Sequence, residues 1–488
     1  MEKHGHKSRP SNKWHHFGVA ALAAFMATLD SSIVNVALPT IADEFGADVK
    51  VVAWTVQAYL LTTMALLLVG GRLLDLWGER KVMAVGFAIF TAGSALCAFS
   101  VSVPMLIASR AFQGMGAAVL MSANQGLVAR AFPPEQRGRT LGIVGTVVAV
   151  GLASGPPIGG LLIGAFGWRS IFSINIPIGA VAIVCCLRIL GSHTTRAAGG
   201  RFDWLGSLFV VIGLASLFAG IDRGVDHGWG DTGVLGLIAS SLLVLALFVR
   251  HEKRTASPLV DLSVFSNRFF VQSCAAAYLA FFAMISAVIL LPFYLQEVRA
   301  FRPEKVGIVM MTLPASMLLV APVGGWISDR IGVRIPATFG LGLVGAGLLL
   351  LSGLESRTAL AGIVSPLALI GVGMGFFGSP NSSAILSSVA PGKVGVASGL
   401  SALMRTSGIA FGIAFAVTAF TFFRDRAAAN RPDLGVSVTD RTLFLEGIWP
   451  VFVLASIVVA LNVVNSLTRG RNLGASKDVP LLFKRKGL

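Results

Sequence analysis

The chain has 488 residues, of which 55% are hydrophobic and only 13% charged, with a mean hydropathy of +0.79 and a formal net charge of +16. Soluble domains carry about 25% charged residues, so a water-soluble globule is excluded and lipid is the expected solvent. The apolar runs are long and continuous rather than ~10-residue alternating stretches, which excludes a membrane barrel.

In chain order, residues 1–16 form a basic, hydrophilic head, read as a solvated cytoplasmic tail. Its histidines His4, His6, His15 and His16 belong to that tail rather than to a metal site. A helix needs roughly 20 apolar residues to span a bilayer. That window gives fourteen spans, at about 17–39, 51–71, 82–103, 105–127, 140–163, 171–190, 204–222, 233–250, 269–292, 306–328, 336–354, 361–380, 396–422 and 445–467. The first has no small-residue cleavage site and a second follows at once, so it is a span and not a removed signal. Residues 468–488 form a second cytoplasmic tail.

The excess positive charge suggests nucleic acid, but its distribution argues otherwise. With the N-terminus inside, and counting Arg188 and Arg250 at the inner ends of their spans, the cytoplasmic segments hold 26 of the 39 Lys and Arg and the outer segments 11, leaving only Arg110 and Arg405 well within spans. That asymmetry is the positive-inside pattern. It predicts a multi-pass protein of the cell membrane with both termini cytoplasmic and no nucleic-acid partner. Cys97, Cys185, Cys186 and Cys274 all fall within spans without zinc-like spacing, so they are read as small apolar residues, with no metal expected.

An internal repeat organises the chain. Gly71, Asp75, Gly78 and Arg80 recur as Gly325, Asp329, Gly332 and Arg334. Gly114, Gly116, Asn124, Gly151 and Gly155 recur as Gly371, Gly373, Asn381, Gly408 and Gly412. So many matches at nearly one offset indicate duplication. The expected fold is all-α: two pseudo-symmetric six-helix bundles, 17–190 and 269–467, with a linker carrying two extra membrane helices over 191–268. Transporters of this architecture bind substrate near mid-membrane between the halves.

Asp30 is the only carboxylate well inside any span. A charge there costs about 2.5–3.5 kcal/mol on insertion scales and is usually functional; a structural ion pair is the alternative. Poised between desolvation and a nearby cation, such an acid can take up and release a proton. Arg110 also lies within a span, and because arginine stays charged it needs a partner, for which Asp30 is the leading candidate. Neither is duplicated: Asp30 maps near Ala283 and Met284, and Arg110 maps to Leu367. Coupling is therefore expected in the first half, with the second half mainly shaping the substrate site.

The stretch GRLLDLWGERK, read as a cytoplasmic loop, contains Gly71, Asp75, Gly78, Arg80 and Lys81. It is expected to act as a conformational gate, or else only to anchor topology by its charge. The run GLASGPPIGG contains Gly151, Gly155, Pro156, Gly159 and Gly160. Small-xxx-small spacing and prolines suggest a hinge or a tight helix seam. Gln57, Gln113, Asn124, Tyr278, Phe281, Phe376 and Asn381 are candidate cavity residues, with helix–helix packing as the alternative for each. No Gly-Lys-Ser/Thr phosphate loop, His-Glu-x-x-His or nucleophile set is present, so neither an enzyme nor ATP drive is expected.

With these pieces assembled, the chain resembles the major facilitator superfamily, and within it the fourteen-span drug:proton antiporters of the EmrB/QacA type. The resemblance rests on LDSSIVNVALP from Leu29, GRLLDLWGERK from Gly71, RAFQGMGAA from Arg110, GLASGPPIGG from Gly151 and WRSIFSINIPIG from Trp168. It implies export of lipophilic, often cationic compounds in exchange for protons. Asp30 would be the proton- and cation-responsive acid, Arg110 the arginine of proton transfer, and Asp75, Arg80 and Lys81 the gate. No cofactor is implied beyond the coupling proton, and a monomer in the bilayer is expected to suffice. Leu76, Glu79 and Ser32 depart from the usual pattern, so the gate's latch is expected to be weaker. The lack of acids in 306–328 and 361–380 favours monocations or neutral molecules over dications. A dedicated exporter of one metabolite, antibiotic or lipid, and a non-transporting sensor or scaffold, are the alternatives.

Overall fold

A computed structural model describes residues 13–131, 134–190, 203–228, 230–255, 262–389, 394–430 and 436–469. Their regular structure is helical. In order it comprises α1 (Lys13–Phe45), α2 (Val49–Trp77), α3 (Glu79–Ala98), α4 (Val103–Ala131), α5 (Pro134–Phe166), α6 (Ser170–Ser173), α7 (Asn175–Ile189), α8 (Trp204–His227), α9 (Thr232–Glu252), α10 (Arg268–Phe293), α11 (Pro303–Ile331), α12 (Arg334–Leu351), α13 (Leu360–Ser387), α14 (Val394–Ala429) and α15 (Val436–Leu467). Among the described residues, thirteen segments are long and apolar enough to cross a membrane, α6 and α7 together forming one of them, and α5 adds the apolar stretch Val150–Phe166.

Two details differ from the sequence reading. First, α1 begins at Lys13, so His15 and His16 belong to the helix, and His16 pairs with Glu79 at 3.3 Å. Second, the Gly71–Lys81 stretch is not a loop. Helix continues to Trp77 and resumes at Glu79, with Gly78 alone making the reversal. Gly78 has φ +80°, and its repeat counterpart Gly332 has φ +83°. Only glycine adopts such angles without a Cβ penalty, which lets two long helices meet at a single residue.

The duplicated glycines make matching contacts. Gly114 lets α4 close onto the Tyr59 carbonyl of α2, and Gly371 lets α13 close onto the Leu313 carbonyl of α11. Gly116 brings α4 against Phe90 of α3, and Gly373 brings α13 against Gly340 and Val344 of α12. Gly151 and Gly155 seat α5 on Thr28 and Ser32 of α1; Gly408 and Gly412 seat α14 on Tyr278 and Phe282 of α10. A Cβ at any of these positions would collide with the neighbouring helix. Close backbone approach is the main source of helix affinity where lipid removes the hydrophobic drive. The two six-helix bundles are thus built on one plan.

The inserted helices α8 and α9 pack on each other and dock through α8. Phe218 of α8 meets Trp54 of α2 at 5.3 Å and Phe411 of α14 at 5.8 Å. The hairpin therefore covers the side where α2 and α14 of opposite bundles meet.

The bundles are joined at the end of the molecule opposite the start of α1. Gly160 abuts the Pro303 carbonyl, and Gly307 abuts that of Pro156. Thr40 donates to Gln296 Oε1 at 3.2 Å, and Gln296 donates to the Val36 carbonyl at 3.1 Å. Arg424 of α14 holds Asp48, between α1 and α2, at 3.1 and 3.3 Å. These hydrogen bonds and this ion pair tie the bundles together at the distal end.

Candidate functional site: a sealed ion pair in the first bundle

Asp30 sits in the middle of α1 with no solvent exposure. Gly151 and Gly155 clamp Thr28 and Ser32 on one side of α1. At 100° per residue Asp30 points away from that seam, toward α4 and α7.

Arg110 of α4 donates through Nη1 to Asp30 Oδ2 at 2.6 Å and to Gln113 Oε1 at 2.6 Å. Its Nε donates to the Thr55 carbonyl of α2 at 3.1 Å. The guanidinium lies 4.2 Å from the Tyr59 ring centre and 5.6 Å from that of Phe172. The second carboxylate oxygen, Asp30 Oδ1, accepts from Gln113 Nε2 at 2.8 Å and from Asn175 Nδ2 at 2.9 Å. Gln113 is held in turn by Ser94, whose hydroxyl accepts from Nε2 at 2.8 Å. Asp30, Arg110 and Gln113 are all fully buried.

Both carboxylate oxygens are thus satisfied, but one arginine nitrogen, Nη2, is buried without a partner. Removing either member of a buried pair strands the other and costs about 3–5 kcal/mol. The arrangement is a tight pair with no net charge, in which each member is needed to balance the other.

The other sequence candidates are placed differently. Gln113 belongs to the ion-pair cluster rather than to a cavity. Gln57 is buried, with its Oε1 unpartnered. Asn381 donates to the Ser273 carbonyl at 3.0 Å and joins α13 to α10. Phe281 packs partly buried against the core, and Phe376 meets Phe339 at 5.4 Å. Tyr278 lines an open apolar groove of about 340 Å³ with Cys274, Leu279 and Met404, its rim formed by the exposed Phe265 and Val271. In the gate stretch Arg80 is half-buried, and its carbonyl accepts from the Cys186 thiol at 3.5 Å, while Lys81 is exposed. The side chains of Gly71, Asp75 and Asn124 lie outside the described residues.

The glycine–proline run forms a seam. α5 stays helical through Pro156 and Pro157, with Gly151, Gly155 and Gly159 against α1 and Gly160 against α11.

Sequence reasoning missed Tyr59 and Asn175. Asn175 lies in WRSIFSINIPIG, whose other members also anchor α1. Trp168 Nε1 donates to Glu44 at 2.7 Å and Arg169 pairs with Glu44 at 2.6 Å.

Residues 20–413 match the family described as Major Facilitator Superfamily. The chain is 36% identical over 404 residues to the riboflavin transporter RibZ of Clostridioides difficile, covering 83% of this chain and 87% of RibZ. It is 32% identical over 420 residues to the multidrug resistance protein Stp of Mycobacterium tuberculosis, covering 86% and 78%. Among solved structures, a bacterial homologue of the human lysosomal transporter Spinster, in an inward-facing and unoccupied conformation, superposes with a TM-score of 0.67 at 14% identity. The match covers 95% of this chain and 98% of that one, and it concerns the fold.

Proposed function

We propose, since the chain belongs to the Major Facilitator Superfamily, that it exports lipophilic or amphipathic small molecules in exchange for protons, with Asp30 and Arg110 as the coupling pair. The observation that carries the reading is the sealed pair itself: one acid and one base, fully buried, 2.6 Å apart and in one bundle only. A scaffold does not need it, because the second bundle is built without it.

A proton reaching Asp30 neutralises the carboxylate and leaves Arg110 as an unbalanced buried cation. The cost, about 3–5 kcal/mol, is relieved if α4 shifts so that the guanidinium finds water. The opposite face of α1 is fixed by the α5 seam, so the motion is directed to the contact of α1 with α4 and α7. A proton moving across 100 mV supplies about 2.3 kcal/mol, which is of the same order. The excess of Lys and Arg on the α1-start side supports placing that side in the cytoplasm. The state described is then closed to the outside, with Arg80 and Lys81 in the cytoplasmic gate. The 36% identity to a riboflavin transporter supports a second reading, a dedicated carrier of one metabolite; substrate-competition profiling separates the two.

The test uses the full chain in proteoliposomes with an imposed pH gradient and a panel of lipophilic dyes. Asp30→Asn keeps the size of the side chain and one of its two acceptors but cannot exchange a proton, and gradient-driven transport is expected to vanish. Full coupled transport by this variant would sink the assignment.

A further inference from the structure

The charges of the membrane interior do not balance, and the imbalance falls on the second bundle. Asp30 is occupied on both oxygens and sealed, so it offers nothing to a cationic ligand. Besides Asp30 and its partner Arg110, Arg405 is the only charge that the sequence places well inside a span. It stands eleven residues into α14, about 16 Å along the helix. Among the described residues it has no ion pair, no hydrogen bond and no aromatic partner. Its counterpart in α5, at the offset relating Gly408 to Gly151, is Val148, so the plan of the bundle does not require it.

Arg405 is half-buried, and that exposed part has to meet either lipid or water. A guanidinium facing hydrocarbon is costly enough to draw in water or to snorkel, so the exposed part belongs to an aqueous space. α14 packs on α10 and crosses to α2 of the other bundle, so it lies beside the boundary between the halves. Gly408, one turn on, touches the Tyr278 carbonyl. This level is about two turns closer to the α1-start end than the Asp30 counterparts Ala283 and Met284. The distal clasp of Asp48, Arg424, Gln296 and Gly160 is therefore beyond Arg405, which lies toward the α1-start end. In the export reading that is the side from which substrate is collected.

We propose that Arg405 is the counter-charge for an anionic group on the transported molecule, so that this carrier prefers lipophilic acids bearing a carboxylate, phenolate or sulfonate over lipophilic cations. The proposal rests on the export reading and reverses its usual charge preference. A planar, permanently charged guanidinium suits a carboxylate in a two-point contact. An open apolar groove lined by Tyr278, Leu279 and Met404, the residue preceding Arg405, suits the lipophilic body.

Three dansyl probes sharing one fluorophore test it: dansylglycine (carboxylate), dansylglycinamide (neutral) and dansyl-ethylenediamine (ammonium). Binding is measured by fluorescence to the full-length protein in lipid nanodiscs. The wild type is expected to bind the carboxylate at least tenfold more tightly than the amide or the ammonium. Arg405→Gln should erase that preference by weakening carboxylate binding tenfold or more while changing amide binding less than twofold. Arg405→Lys should keep part of the preference. A wild type that binds the ammonium probe as well as the carboxylate overturns the proposal, and so does an Arg405→Gln protein that keeps the preference. Should Arg405→Gln fail to fold, the wild-type ranking and Arg405→Lys decide. Everted vesicles separate this proposal from the export reading. A carboxylate preference with no gradient-driven movement of any probe sinks export alone. Gradient-driven movement without that preference sinks only the role of Arg405.

Discussion

α4 and α13 are two copies of one helix with opposite interiors. Gly93 of α3 backs directly onto Gln113 of α4, and its counterpart Gly347 of α12 backs onto Ile370 of α13. At matching positions Arg110 becomes Leu367, Tyr59 becomes Leu313, Ser94 becomes Leu348 and Asp30 falls at Ala283 or Met284. Every one of these apolar counterparts is buried. The same backbone geometry thus encloses an ion-pair network in one bundle and a buried apolar core in the other. The fold tolerates either filling, so the charged one is retained for something other than folding.

The largest effect should come from giving the first bundle the interior of the second. Arg110→Leu alone leaves Asp30 as an unpaired buried carboxylate, and is expected to cost about 3–5 kcal/mol. The combined change of Asp30→Met, Arg110→Leu and Gln113→Ile removes the whole charged set. Replacing a buried ion pair by apolar residues of similar volume is often neutral or stabilising, so the triple variant should recover most of that loss while transport stays absent. Thermal unfolding in detergent, read beside proteoliposome transport, checks both parts. A triple variant as unstable as Arg110→Leu would break the comparison, because the pair would then be holding the bundle together.

A smaller effect sharpens the same contrast through the paired glycines. A Cβ at Gly93 meets backbone atoms of Gln113 at 2.6 and 2.8 Å, whereas one at Gly347 meets the Ile370 side chain at 2.6 Å and the Pro366 carbonyl at 2.9 Å. Overpacking of this kind costs about 1–3 kcal/mol, so Gly93→Ala and Gly347→Ala should lower stability alike. Only Gly93→Ala displaces the amide that bridges Asp30 and Arg110, so it alone should shift the pH profile of transport. Equal profiles for the two variants would mean that Gln113 packs without positioning the pair.

How much of this was legible in the sequence follows from how each feature announces itself. Asp30 and Arg110 stand out because a charge in an apolar run is expensive. The duplicated glycines stand out because close helix approach leaves few alternatives to glycine. The fold and the pair could therefore be read directly. Asn175 carries no such mark, since one amide within a span is ordinary and its partner Asp30 is 145 residues away. Gln113 was visible as a buried polar residue, but its ligand was not, because only the crossing of α4 with α1 brings its amide to the carboxylate. Glu79, a departure from the expected gate pattern, acquires a purpose only when α1 is seen to begin early enough to present His16. Arg405 was legible as a charge within a span, but its lack of a partner was not, because pairing is a property of packing.

The smallest effect concerns the ion pair of Asp48 and Arg424, which joins the bundles at the distal end. Asp48 and Arg424 repeat the chemistry of Asp30 and Arg110 in a different setting, with the Asp48 side chain 45% exposed. Burial works against the Asp48 carboxylate. The hydrogen bond and charge of Arg424, with the amides of Val49 and Lys50, outweigh it and hold the group below its ordinary value of 3.8. A depressed carboxylate contributes stability that is complete above its ordinary value and is lost only as pH falls through the lower folded one. The clasp should therefore be indifferent to pH between about 5 and 8, the range in which a proton carrier works. Exposed pairs are worth about 0–1 kcal/mol after solvent screening, so Asp48→Asn should change the closed population no more than about fivefold. Distance measurements between spin labels on the distal ends of α1 and α14, taken across that pH range, would check this. A clasp that opens near neutral pH would place proton sensing at the distal end and remove the privilege claimed for Asp30.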